Sequence, residues 1–170
     1  MRKPSLILAL IFLIVSSAYS QQALRTGEAA PEFTGQALDG RTYDLDQLHG
    51  KVVVLTFWST RCEICHSEIP NLNRVAERYR DKDVVFLAVT MENEARVSPY
   101  LKRNPFNFNI LPDSFGVFLK YADRDRSGNI NMGFPAHFLI NRKGMIAMRT
   151  DGWDKAANLD SQISKLLSSD

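Results

Sequence analysis

Two stretches of the chain are runs of consecutive apolar, mostly β-branched residues, a pattern typical of strands covered on both faces. They extend from Lys51 to Trp58 and from Asp83 to Thr90. Between them, from Glu63 to Arg80, apolar residues recur at mostly helical spacing and charged residues fill the opposite face, which predicts an amphipathic helix. Pro70 lies inside this helix and is expected to bend it. A strand, a helix and a second strand in this order predict a parallel pair.

Shorter patterns on either side of this unit predict further elements. Turn signals between Gly27 and Gly50 indicate an extended segment or a small hairpin ahead of the main sheet. The other predictions, in chain order, are a helix at Glu94 to Arg103, a strand near Phe108 to Leu111, a helix at Ser114 to Tyr121, a hairpin of Ala136 to Ile140 and Met145 to Thr150, and a helix at Asp154 to Leu167. The pattern as a whole predicts an α/β protein.

The first twenty residues have the pattern of a secretory signal. Arg2 and Lys3 form its charged start, an apolar run extends from Leu6 to Val15, and a small-x-small cleavage pattern ends at Ser20. We expect cleavage near Ser20, which leaves one domain over residues 21–170. A retained anchor is the alternative, although an apolar run of about ten residues is short against the roughly twenty that span a bilayer.

The charge balance changes once this segment is set aside. The full chain holds 21 Lys and Arg against 19 Asp and Glu. Arg2 and Lys3 account for the difference, so the mature chain is expected to be neutral. Nothing in its charge favours nucleic acid as a partner.

The chain has only two cysteines, Cys62 and Cys65. A bridge that closes so short a loop restricts the unfolded chain very little, so stabilisation is not its expected purpose. In an oxidising compartment, one close pair indicates redox chemistry or a cofactor attachment point. A structural or incidental pair is the alternative.

The pair falls where the strand ending at Trp58 passes into the amphipathic helix. Cys62 is therefore expected at the helix N-terminus, where free N–H groups and the helix dipole favour an anion. Thiols in such positions have pKa values of roughly 3.5 to 7.5 instead of about 8.5. This placement predicts Cys62 as the nucleophile and Cys65, one turn further in, as the buried thiol that resolves the mixed disulfide.

The residues around the pair resemble the thioredoxin active site, in which an aromatic strand end leads into Cys-x-x-Cys and a proline follows. The similar segments are Phe57 to Pro70 and, for the cis-proline loop of that family, Gly133 to Pro135. Further segments resemble one branch of the family in particular, the extracytoplasmic TlpA/ResA-like proteins. These segments are Ala30 to Phe33, Asp39-Gly40, Gly50-Lys51 and Phe138 to Gly144. The resemblance implies a thioredoxin-like fold, with a central mixed sheet, helices on both faces and an N-terminal extension.

The resemblance also implies roles for residues beside the pair. Pro135 is expected to be cis, to face the disulfide and to leave the backbone of Phe134 free to pair with a docked peptide. Trp58 is expected to be an apolar wall of the same substrate site. Packing in the core alone is the alternative for Trp58.

Thioredoxins carry a buried aspartate on the central strand, and Thr56 occupies the matching position here. In the TlpA/ResA-like branch a glutamate after the next strand can occupy the space of this aspartate side chain. Glu92 stands at the matching position of this sequence. A carboxylate beside a poorly solvated thiol would have a raised pKa and could accept the proton of Cys65. We therefore expect Glu92 to be the third catalytic residue. The alternative is a solvated loop glutamate, and Glu94 is the weaker candidate.

Between the cysteines, Glu63 and Ile64 replace the Gly-Pro of thioredoxins. An acidic residue next to Cys62 disfavours the thiolate, which makes the disulfide less oxidising. This difference favours a reductase over an oxidase.

Three rival functions use the same residues. Cys62 to His66 also matches the c-type haem attachment pattern, but a cytochrome would be mostly helical and have a later second ligand. A thiol peroxidase would attack peroxide with Cys62, yet the proline and threonine that precede the peroxidatic cysteine of that relative are missing. A binding or chaperone module could retain the pair without turnover.

The segment Asp123 to Asn129 begins like a calcium loop, but its twelfth position is Phe134 instead of glutamate. A polar loop from Asp123 to Met132 that contacts the partner is the favoured interpretation.

The sequence thus predicts a periplasmic thiol-disulfide oxidoreductase that reduces protein disulfides and needs no metal or organic cofactor. The chain has no third cysteine and no nucleotide motif, so its electrons must come from a partner. The resemblance suggests a membrane-bound thiol donor, with the haem-site cysteines of apocytochrome c as a substrate. The sequence leaves the oligomeric state open.

Overall fold

The computed structural model describes residues 23–125, 127–152 and 158–169. Its strands are β1 (Thr34–Gln36), β2 (Thr42–Asp44), β3 (Val52–Phe57), β4 (Val84–Val89), β5 (Asn109–Leu111), β6 (Asp123–Arg124), β7 (Ile130–Asn131), β8 (Ala136–Ile140) and β9 (Ile146–Asp151). Its helices are α1 (Glu63–Arg78), α2 (Glu94–Leu101), α3 (Phe115–Tyr121) and α4 (Leu159–Ser168). The predicted signal and the start of the predicted C-terminal helix, residues 154–157, lie outside the described residues.

The main sheet has five strands in the order β5-β4-β3-β8-β9. β3 pairs parallel with β4 and antiparallel with β8, so the predicted mixed sheet is confirmed. All six residues of β3 are buried, which explains why this strand is a continuous apolar run. β8 and β9 form the predicted hairpin. α1 begins at the predicted residue and is continuous through Pro70.

Successive side chains of a strand point to opposite faces of the sheet, so a strand of consecutive apolar residues is apolar on both faces. Helices cover both faces of this sheet. On one face, Val52, Val54 and Trp58 pack with the buried sides of α1, α2 and α4. On the other, Leu55 and Phe57 pack with α3 and the N-terminal segment. The predicted thioredoxin-like arrangement is therefore present, with α1 lying on the sheet directly after β3.

The N-terminal segment forms a small antiparallel hairpin of β1 and β2. A Cβ atom at Gly35 would lie 2.6 Å from Leu111 Cδ2, so glycine allows β1 to approach the end of the main sheet. The Leu38 N–H donates to the Ile110 carbonyl at 3.0 Å and joins the hairpin to the β5 edge.

The segment expected to be a polar loop contains a second small hairpin, β6 and β7, just before the cis-proline site. Its turn is organised by Asp125, whose carboxylate accepts the N–H groups of Ser127 and Asn129 at 2.8 and 2.9 Å. The carboxylate of Asp125 in the calcium-like motif thus bonds to the motif's own turn. Within the described ranges, no helix has both the length and the apolar character that crossing a bilayer requires.

Candidate active site

The two cysteines lie at the N-terminus of α1 and are joined in a disulfide, with a Cα–Cα distance of 5.2 Å. Cys62 is the N-cap residue, and its Sγ accepts the Cys65 backbone N–H at 3.1 Å. Cys62 is half-buried, whereas Cys65 is 2% exposed. The sulfur of Cys62 therefore occupies the position where a helix stabilises an anion, and Cys65 is shielded behind it.

The register of the sheet brings the cis-proline segment to the same end of the sheet as the disulfide. Phe57, the last residue of β3, pairs with Ala136, and the chain continues from Phe57 to the cysteines and back from Ala136 to Pro135. The Phe134-Pro135 peptide bond is cis, as predicted. Antiparallel pairing of β3 and β8 is what aligns these two segments.

Phe134 lines an open groove of about 510 Å³. The same lining includes Ser59 and Arg61, which precede Cys62, and Glu92. Met91, also in the lining, is 40% exposed and adds apolar surface to this groove. The sequence analysis missed Met91, because one apolar residue between two polar ones has no recognisable pattern.

Trp58 is 1% exposed and packs between Tyr100 and Phe106, at ring centroid distances of 5.6 and 5.5 Å. In this oxidised structure it offers no surface to a substrate. Of the two roles considered for Trp58, the burial supports core packing behind the disulfide and corrects the expectation of a substrate contact.

Glu92 lies in a network with the loop that precedes Cys62. Its carboxylate accepts the Thr60 N–H at 2.6 Å, the Thr60 hydroxyl at 2.8 Å and the Arg96 Nε at 2.8 Å. Arg61 Nε lies 3.8 Å away. Partial burial raises the pKa of Glu92, but the hydrogen bonds from Thr60 and Arg96 outweigh it, so the pKa is lowered overall. The raised pKa expected from the sequence is therefore wrong, and an ionised, fully bonded carboxylate is a poor proton acceptor.

His66 follows the pair directly, and its Nε2 lies 3.0 Å from the Thr60 carbonyl oxygen. Its ring packs against that of Tyr100 at a centroid distance of 4.8 Å, tilted by 36°. The two sulfurs bond to each other, and His66 is bonded within the cysteine loop. A sheet-centred fold with these contacts fits redox chemistry and does not fit the helical architecture expected of a cytochrome.

Three polar side chains that the sequence analysis did not connect meet beneath α1. His137 is 0% exposed, and its Nδ1 lies 2.9 Å from Thr56 Oγ1. Its Nε2 lies 3.1 Å from Glu68 Oε2. Thr56 and His137 are cross-strand partners. They are 81 residues apart in the chain, so a local pattern does not reveal the contact.

A Cys-x-x-Cys pair at the tip of the helix after the central strand, next to a cis-proline, defines a thiol-disulfide oxidoreductase of the thioredoxin fold. A profile of the AhpC/TSA family matches residues 26–149, and the chain belongs to this family.

Proteins similar to this chain include thiol-disulfide oxidoreductases and a thiol:disulfide interchange protein. The thiol-disulfide oxidoreductase ResA of Bacillus cereus is 26% identical over 178 residues, which cover 98% of this chain and 99% of ResA. ResA of Halalkalibacterium halodurans is 31% identical over 141 residues, 81% of this chain and 76% of ResA. The crystal structure of a thiol:disulfide interchange protein of the thioredoxin family from Chlorobium tepidum TLS has the same fold, with a TM-score of 0.71, 23% identity and coverage of 86% of this chain and 100% of that chain.

Proposed function

We propose that this protein is exported and reduces disulfides of other proteins outside the cytoplasm. The observation that carries the proposal is the asymmetry of the pair: Cys62 Sγ accepts an N–H at the tip of α1, whereas Cys65 is 2% exposed. An accessible, stabilised thiolate attacks first, and a shielded thiol attacks second.

The proposed reaction has two exchanges. The Cys62 thiolate attacks one sulfur of the substrate disulfide, which forms a mixed disulfide and expels the other substrate sulfur as a thiolate. Cys65 then loses its proton and attacks Cys62 Sγ, which forms the Cys62–Cys65 disulfide and expels the second substrate sulfur. The substrate gains two electrons and, overall, two protons. The enzyme pair becomes oxidised, the state seen in the structure.

The groove beside the disulfide is the proposed substrate site. Phe134 borders it, and the backbone next to Pro135 is the proposed place for an extended peptide to pair by strand addition. The exposed Met91 adds apolar surface to the same groove. Apocytochrome c, whose haem-site cysteines lie in such a flexible segment, is the proposed substrate by analogy with the ResA-like branch.

Glu63, next to Cys62, bears on the direction of electron flow. Glu63 is exposed in the first turn of α1 and disfavours a neighbouring thiolate. An exposed charge pair contributes at most about 1 kcal/mol, which corresponds to roughly 20 mV for a two-electron couple. Glu63 thus supports the reductase direction by a small amount. A membrane-bound thiol donor is the proposed source of electrons, since the chain has no third cysteine.

The test is a trapping experiment with the full chain. Cys65→Ser lets Cys62 attack but removes the resolving thiol. Partner proteins should therefore accumulate as mixed disulfides with Cys62, and dithiothreitol should reduce these and release the partners. The complexes should come from the fraction outside the cytoplasm. Cys62→Ser/Cys65→Ser is the matched control and should trap nothing. The proposal is overturned if Cys65→Ser traps no protein and the wild-type protein, with both thiols free, reduces no protein disulfide.

A further inference from the structure

The groove beside the disulfide carries an excess of positive charge. The charged residues of its lining are Arg61, Glu92 and Arg96. The pKa of Glu92 is lowered, so its carboxylate is ionised at neutral pH. Two guanidinium groups against one carboxylate leave the lining with a net positive charge. Glu63 and Glu94, the neighbouring carboxylates along the chain, do not belong to this lining.

Glu92 does not use up the hydrogen-bonding capacity of the two arginines. Its carboxylate accepts the Arg96 Nε at 2.8 Å, and the Arg61 Nε lies 3.8 Å away. The same carboxylate accepts two hydrogen bonds from Thr60, which hold it in this position. In the part of the chain that the structure describes, Nη1 and Nη2 of both arginines make no hydrogen bond. Because a guanidinium presents its N–H groups as a planar fork, the outer edge of each fork can bind a second carboxylate.

Both guanidinium groups are accessible to a ligand in the groove. The side chains of Arg61 and Arg96 are 73% and 50% exposed. An attraction between exposed charges is worth at most about fivefold in affinity, because water screens it. Charges in the groove therefore favour one ligand over another by a modest factor for each charge.

The place of the arginines in the chain ties the groove to the bound substrate. Arg61 directly precedes the nucleophile Cys62, and Phe134, in the same lining, directly precedes Pro135. In the proposed complex the substrate cysteine is bonded to Cys62, and the substrate backbone pairs beside Pro135. Each residue of an extended segment advances by only about 3.3 Å. Substrate side chains one or two residues from the attacked cysteine therefore come next to the groove.

We propose that Arg61 and Arg96 select substrate segments that carry a carboxylate within two residues of the attacked cysteine. This rests on the proposed function and narrows its substrate class. The arginines bind the segment during the first exchange and take no part in the chemistry. A lysine at the same place in the substrate is repelled, so the groove discriminates by rejection as well as by attraction.

The test uses the reduced full chain and three peptides that differ only in the residues next to their single cysteine, which are glutamate, glutamine or lysine. Each cysteine is joined to 4-thiopyridine, a neutral leaving group. The Cys62 thiolate attacks the peptide sulfur, the peptide–thiopyridine bond breaks, and the released thiopyridine is followed by absorbance. At low salt we expect the glutamate peptide to react about fivefold faster than the glutamine peptide, and the lysine peptide about fivefold slower. Both ratios should fall towards one in about 1 M salt, where the Debye length is roughly 3 Å.

Variants of the two arginines show whether they are the source of the preference. Arg61→Gln and Arg96→Gln should each lower the ratio of the glutamate rate to the lysine rate, and the double variant should bring it close to one. Arg96→Lys keeps the charge and should keep most of the ratio. Arg74→Gln removes an exposed arginine of α1 outside the groove and should leave the ratio unchanged.

The ratio between peptides separates recognition from damage to the cysteine loop. A disturbed contact of Arg96 with Glu92 or Thr60 slows all three peptides equally and leaves their ratio unchanged. Arg61→Gln carries the test if Arg96→Gln does not fold, because Arg61 is the more exposed of the two.

Two outcomes would overturn the inference. One is equal rates for the three peptides with the wild-type protein at low salt. The other is a wild-type ratio in the double variant. A wild-type protein that prefers the glutamate peptide but reduces no protein disulfide would instead refute the proposed function.

Discussion

Glu92 receives hydrogen bonds from two directions, the Thr60 backbone and hydroxyl on one side and the Arg96 guanidinium on the other. Its side chain is 12% exposed. These contacts join the loop before Cys62 to the start of α2. The sequence placed Glu92 beside the site but did not show its donors, since Thr60 lies 32 residues earlier. At the scale of the residue, Glu92 holds the cysteine loop in place.

Glu92→Gln should destabilise the protein in a pH-dependent way. Because the pKa of Glu92 is lowered in the fold, its contribution is present above its ordinary pKa near 4.5 and is lost as the pH falls through the lowered value. Hydrogen bonds to a charged group contribute roughly 1.5 to 3 kcal/mol. We expect a loss of about 1 to 3 kcal/mol at pH 7 that shrinks as the pH is lowered below about 4.5, measured by urea unfolding.

Glu32→Gln, at an exposed carboxylate, is the control and should change stability by less than about 0.5 kcal/mol over this pH range. A loss for Glu92→Gln that does not shrink as the pH is lowered would contradict the assigned role of the ionised carboxylate.

At the scale of elements, the β6–β7 hairpin is held to the sheet by one ion pair. Arg149 on β9 donates to both carboxylate oxygens of Asp123, at 2.8 and 2.6 Å. The Arg149 guanidinium also lies 5.3 Å from the centre of the Phe138 ring. The side chains are 13% and 30% exposed, so the pair is partly shielded from water. Through this pair the sheet fixes the segment that leads to Phe134 and Pro135.

Arg149→Gln should therefore lower the free energy of unfolding by about 1 to 3 kcal/mol, since a partly buried carboxylate loses its bidentate partner. Urea unfolding measures this loss, and a double-mutant cycle with Asp123→Asn should show coupling between the two positions. Arg124→Gln on the exposed side of β6 is the matched control, with a change below about 0.5 kcal/mol. Additive effects at Asp123 and Arg149 would show that the pair does not stabilise the hairpin.

At the scale of the whole molecule, one sheet separates two apolar layers. Leu139 belongs to the layer under α1 and Leu111 to the layer under α3, and both side chains are 0% exposed. β5 and β8 are separated by two strands, so these leucines share no contacts across the sheet. We nevertheless expect the layers to unfold together, because each covers one face of the same strands.

Leu111→Ala and Leu139→Ala should each cost about 2 to 5 kcal/mol, through lost burial and a residual cavity. Their effects should add within about 0.5 kcal/mol. Far-UV circular dichroism and tryptophan fluorescence should give coincident urea transitions for both variants. Separate transitions would show that the two layers are independent folding units.

The sequence by itself determined the order of the helices and of the strands of the main sheet, and the position of Cys62 at a helix tip. Strand and helix periods are local, and a helix N-terminus favours an anion whatever surrounds it. The boundaries of β3, β4 and α1 therefore agree with the structure to within a few residues. The cis state of Pro135 was predicted from the family resemblance and not from this local physics.

Only the tertiary structure decided which groups surround the cysteines. It buried Trp58, gave Glu92 its donors and placed His137 between Thr56 and Glu68. These contacts join residues 32, 81 and 69 positions apart. They depend on strand register and on how α1 lies on the sheet, which no local spacing encodes. The surroundings of the two cysteines are therefore a property of the folded chain.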